Sequence, residues 1–150
     1  MRILISRYAC LVIFCLFTSL NMQAQFLDYG SDPARFKWNI VRLPHYNLVY
    51  PQGNDSMAYK YALYLENAYS HLQKTIGVGM QKKFPVILHP ANMSSNGLVS
   101  WAPRRMELIT TPSSKQDGVS WDKHLVLHEL RHVLQTSKVM RGWFKPLYYV

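Results

Sequence analysis

Residues 38–50 are rich in aromatic and β-branched side chains, and Tyr46-Asn47-Leu48-Val49-Tyr50 predicts a strand that ends at the turn Pro51-Gln52-Gly53-Asn54. Beyond the turn, Tyr61, Leu65, Ala68, Tyr69, Leu72 and Ile76 recur at spacings of three and four, the repeat of one face of an α-helix. Asn54, Asp55 or Ser56 is placed to cap that helix, and Gly77 to stop it. Residues 83–89 read as a buried strand, with Pro85 near the start, where a missing backbone donor is tolerated. Residues 97–101 and 105–110 flank Ala102-Pro103-Arg104 as a hairpin or one bent strand, and residues 112–118 form a loop. Ser120 is a suitable N-cap for a last helix over residues 121–136, with Asp122 at its positive end. Leu125, Val126, Leu127, Leu130, Val133 and Leu134 make this helix apolar around most of its circumference, which predicts burial. The class is α+β: a mixed sheet packed on a long helix, plus a buried second helix.

The first 24 residues stand outside this pattern. Arg2 and Arg7 precede an apolar run of 12 residues, Ala9 to Leu20, too short to span a membrane and suited to a signal peptide. Ala24 supplies a small residue at the cut, leaving Gln25 first. Neither Cys10, after Arg7-Tyr8-Ala9, nor Cys15, after Val12-Ile13-Phe14, sits in the small-residue context that lipidation uses. The reading is a signal peptide over residues 1–24, a single domain over residues 25–150 and export to the periplasm, the cell surface or the medium, with no stable membrane span. Cleavage removes both cysteines, so the mature chain has neither a disulfide nor a thiolate metal site. It also lowers the net charge from +9 to +7, with 15 basic residues against 8 acidic ones. These charges are scattered, the densest runs being Lys82-Lys83 and Arg104-Arg105, so no nucleic-acid face is expected.

The chemistry is concentrated in His128-Glu129-Leu130-Arg131-His132. Residues four apart share one face of a helix, so His128 and His132 can aim two imidazoles at one ion. Glu129, about 100° further around, can reach the water that a zinc ion activates without being a ligand itself. A carboxylate so placed takes a proton from that water and passes it to a leaving amine, so the spacing points to hydrolysis rather than metal storage. Shuffling the 6 histidines and 3 glutamates of the chain yields the pattern about 0.004 times, so chance is a weak explanation. His124 shares the face but lies ~12 Å along the axis from His132, which assigns it a structural role. His45, His71 and His89 stand alone and read as satisfied packing. Arg131 reads as a paired or solvated cation.

The capped helix bearing this motif, after strand, helix and strands, resembles the first lobe of the gluzincins, the thermolysin-like branch of the zincin metallopeptidases. It is similar in particular to peptidase MA-like domains of secreted proteins from Bacteroidetes-type bacteria. The resemblance covers roughly residues 36–150, and its specific part is the five-residue motif. It implies Zn2+ as cofactor, His128 and His132 as its ligands, Glu129 as general base and a peptide or protein as substrate. It implies further that Gly97, Leu98, Val99, Ser100 and Trp101 form an edge strand that pairs with an extended substrate. In some of these proteins the domain precedes a larger propeller-like region, which the parent protein is then expected to carry.

A catalytic zinc takes three protein ligands and keeps one open position. No His, Asp or Glu follows His132. Gln135 and Lys138 stand where the metzincin pattern requires glycine and histidine, which excludes that branch. The gluzincin pattern places a glutamate roughly twenty residues on, and 18 residues remain. The expectation is therefore an incomplete domain lacking its C-terminal lobe. The alternative is an exported peptide- or protein-binding module that keeps the helix as scaffold. The chain over residues 25–150 is expected to show little or no hydrolysis alone, and strong EDTA-sensitive cleavage of casein by it would overturn this expectation. Translation of the genomic sequence beyond codon 150 separates the two readings: a glutamate on a helical pattern supports the peptidase, and a stop supports the binding module.

Overall fold

The computed structural model describes residues 32–92, 95–101, 103–111 and 120–141. The expected signal peptide and the loop at residues 112–118 lie outside them. The elements run β1 (Trp38–Arg42), β2 (Tyr46–Pro51), α1 (Asp55–Ile76), β3 (Phe84–His89), β4 (Asn96–Trp101), β5 (Arg104–Ile109) and α2 (Trp121–Val139). The strands form one mixed sheet in the order β1-β2-β3-β5-β4. The β2–β3 and β3–β5 pairs are parallel, whereas β1–β2 and β4–β5 are antiparallel. The class is α+β, as the sequence predicts.

Side chains alternate across a strand, and the buried set follows that alternation. Tyr46, Leu48 and Tyr50 of β2, Phe84, Val86 and Leu88 of β3, and Met106 and Leu108 of β5 form one floor. The helices lie on it through Tyr61, Leu65 and Leu72 of α1 and Leu125, Val126, Leu130, Val133 and Leu134 of α2. Gly77 ends α1 in the left-handed conformation at φ 75°, and its N–H returns to the Gln73 carbonyl, a conformation glycine adopts without strain.

Several expectations change in detail. Residues 97–101 and 105–110 form a hairpin, not one bent strand, and residues 38–50 contain two paired strands rather than one. Asn54 and Ser120 occupy the N-cap positions, but neither side chain caps its helix. The Asn54 side-chain amide donates back to the Pro51 carbonyl instead. Asp122, expected to act on the helix end, also ties the two helices together: Lys60 pairs with one of its oxygens and the Tyr61 hydroxyl donates to the other at 3.1 Å. Burial, reinforced by Asp122, pushes the Tyr61 hydroxyl far above its ordinary pKa, so it remains a donor. At the opposite end Lys138 donates to the Ile76 carbonyl at 2.9 Å.

The largest correction concerns α2. It is amphipathic rather than apolar all round: Leu125, Val126, Glu129, Leu130, Val133 and Leu134 are buried, whereas His124, His128, Arg131 and His132 are exposed. The helix also runs to Val139, three residues beyond the expected end. Leu130, within the motif and fully buried, fixes this orientation. Leu130→Ala is expected to lower stability by about 3 kcal/mol, read as a lower urea midpoint with an unchanged slope. A loss under about 1 kcal/mol would contradict the packing described.

Candidate metal centre

The two motif histidines stand one turn apart on the exposed face of α2, with their Nε2 atoms 3.1 Å from each other. Their rings are 4.7 Å apart and nearly perpendicular, at 83°. Two nitrogens at that separation can both lie about 2.1 Å from one ion, subtending roughly 95–100°, near the tetrahedral preference of zinc. The donor set thus fits a zinc ion as two of its ligands. His124 does not join them. Its ring stacks between Trp121, at 5.9 Å, and His128, at 6.5 Å, which agrees with a structural role. Among the described residues no group of three His, Cys, Asp or Glu side chains is arranged to hold a metal.

Glu129, between His128 and His132 in sequence, is turned from the exposed face toward the sheet. It is only 6% exposed, on the side of α2 that meets β4. Burial holds its carboxyl above the ordinary glutamate range, while His128 and His132 pull in the opposite direction. Seat and charge together describe a carboxylate kept partly dry beside two imidazoles, and therefore more basic than an exposed one.

Strand β4 lies at one end of the sheet, antiparallel to β5, and its other edge has no strand partner among the described residues. The register alternates its five predicted site residues. Leu98 stands opposite Glu107 and Ser100 opposite Arg105 on the face away from the helices. Val99 and Trp101 pack against the core, Trp101 edge-on to Phe84 at 6.0 Å. Gly97 faces α2 at Glu129. At Val99 and Trp101 the strand therefore offers an approaching chain backbone rather than side chain. The strand is tied to the helix just before it begins, where the Trp121 indole N–H donates to the Ser95 hydroxyl.

Two of these contacts escape a reading of residue types. The Ser95–Trp121 bond joins residues 26 apart by a polar pair that no motif describes. The approach of Gly97 to Glu129 left one signal, a glycine inside a strand pattern, which marks close contact.

The isolated histidines divide. His45 is satisfied by Glu66, which accepts from its backbone N–H at 3.1 Å and pairs with its Nδ1 at 2.6 Å. His71 is exposed on α1 rather than packed. His89, expected to be satisfied, is so on one side only. Asp32 meets Nδ1, but the buried Nε2 faces Glu107 Oε2 at 3.7 Å, and neither atom has a hydrogen-bond partner among the described residues. These groups lie on the outer face of the sheet, away from α2.

Comparison of the chain with protein-family models, with curated proteins and with solved structures gave no match.

The raised pKa of Glu129 has a consequence for stability. A carboxyl whose pKa is higher folded than unfolded contributes its stability below the unfolded value and loses it as pH rises through the folded value. Glu129→Gln is therefore expected to melt at a higher temperature than the parent chain at pH 7 without metal. The gap should shrink toward pH 4. Melting curves at the two pH values check this, and an equal gap at both would contradict the burial of the carboxyl.

Proposed function

We propose that these residues are the zinc-binding helix and substrate-edge strand of an exported metallopeptidase of the gluzincin type, whose remaining ligand comes from outside the described residues. One observation carries the reading: two exposed imidazoles converge to 3.1 Å next to a buried glutamate that touches an edge strand. Motif chemistry alone requires only the spacing. The convergence of the nitrogens, the closeness of the acid to β4 and the lack of a strand partner on the outer edge of β4 among the described residues all suit peptide hydrolysis.

In this reading His128 and His132 hold the metal through Nε2, held in position by the buried residues of the same helix. Zinc, when bound, polarises the scissile carbonyl and brings a water's acidity into the neutral range. Glu129 takes the proton at its carboxylate and later gives it to the departing amine. Its seat between α2 and β4 limits the water around it and keeps it basic enough for the first transfer. The outer edge of β4 supplies backbone N–H and C=O groups to an extended peptide, aligning it as an added strand.

Calorimetric titration with zinc tests the metal half. One ion per chain is expected, with His128→Ala and His132→Ala each weakening binding by more than about a hundredfold. Glu129→Gln should retain the ion. In a form with a complete ligand set, the same glutamine variant should lose casein hydrolysis by at least about a thousandfold. Zinc binding unaffected by either histidine substitution would refute the assignment. Zinc binding through both histidines, with no hydrolysis in any form, would favour the binding-module reading.

A further inference from the structure

Gly97 is the second residue of β4, paired opposite Leu108 on the face that carries the helices. Two physical reasons keep a glycine inside a strand: a backbone conformation that other residues avoid, or a neighbour that leaves no room for a side chain. The first does not apply, because the positive-φ glycines among the described residues are Gly53 and Gly77. The second does. A Cβ at position 97 would lie 2.5 Å from Cγ, 2.6 Å from Cδ and 2.7 Å from Oε1 of Glu129. Ordinary carbon contacts are about 3.5–4.0 Å.

Whether such crowding matters depends on what can move. At Gly79 a Cβ would meet the amide end of Gln73, an exposed side chain that can swing aside, and the hydroxyl of Tyr69. Glu129 has less freedom. It is itself buried, and it rises from a helix anchored by the fully buried Val126, Leu130 and Val133. The strand cannot simply lift away either, since Trp121 holds Ser95 two residues before the glycine.

We propose that Gly97 is a positioning residue for Glu129: the side chain it lacks is the seat of the carboxylate, which β4 holds in place beside His128 and His132. This gives Gly97 a task on the inner side of the strand, separate from any backbone contact its outer edge makes with a peptide. That the seated carboxylate is a general base rests on the hydrolytic reading above. The contact itself does not.

The test is a double-mutant cycle on the full chain, read as melting temperature for Gly97→Ala, Glu129→Ala and the double variant. Gly97→Ala alone should lower the melting temperature by several degrees. In the Glu129→Ala background the same change should raise it, because alanine is the better strand residue wherever there is room. Should Gly97→Ala fail to fold, recovery of folding in the double variant supports the proposal equally. An equal loss in both backgrounds would overturn the proposal, since the glycine would then serve the strand and not the glutamate. Zinc titration of the same proteins should show binding by His128 and His132 unchanged in Gly97→Ala, and its loss would also overturn the proposal. In a form that hydrolyses casein, Gly97→Ala should lower kcat by about a hundredfold, the cost of misplacing a reacting group by an ångström, with KM little changed. A sign reversal in a protein that hydrolyses nothing in any form would keep the seat and discard the hydrolytic reading.

Discussion

Leu125, Val126, Leu130, Val133 and Leu134 form one buried stripe along α2, and this stripe gives the helix a single rotational setting. Each such side chain contributes about 1.5–3 kcal/mol when removed from water, so a turn of the helix about its axis would forfeit several of them at once. The exposed residues exert no comparable pull, because histidines and an arginine are solvated well at the surface. Apolar packing therefore decides the setting, and everything polar on α2 follows from it. His128 and His132 are carried to the open face, and Glu129, about 100° around from His128, is carried to the boundary with β4.

Contacts that are energetically small then refine the placement. The Lys60–Asp122 pair is exposed on the lysine side and worth little in stability. Even so, with Tyr61 it aligns the start of α2 against α1, and Lys138 on the Ile76 carbonyl aligns the other end. Ser95 and Trp121 fasten the edge strand to the helix. The strand and the helix that carry the candidate chemistry thus form one frame, although they belong to different layers of the fold.

Glu129 is where this frame works against itself. Taking a carboxylate out of water is unfavourable, and burial accordingly pushes the Glu129 pKa up. A residue chosen for stability at this boundary would be apolar. An acid kept here, against a strand whose backbone has been stripped of a side chain to receive it, is the kind of local conflict expected at a chemical site.

Much of this was legible along the chain. The spacing of Tyr61, Leu65, Ala68, Tyr69 and Leu72 marked α1, Gly77 marked its end, and the motif marked α2, because periodicity and turn chemistry are properties of neighbours in sequence. The apolar count of α2 misled, since Leu127 and Trp121 are only partly buried and the histidine face lies open. Composition gives the number of apolar residues on a helix but not which of them find a partner. Neighbours along the chain were thus enough to mark both helices, most of the strands, the α+β class and the two histidines at the spacing a zinc ion can bridge. Packing alone put β4 at one end of the sheet, turned His128 and His132 outward and Glu129 inward, and set Gly97 where it makes room for Glu129. These features depend on contacts between residues tens of positions apart, and such contacts exist only once both helices have packed on the sheet.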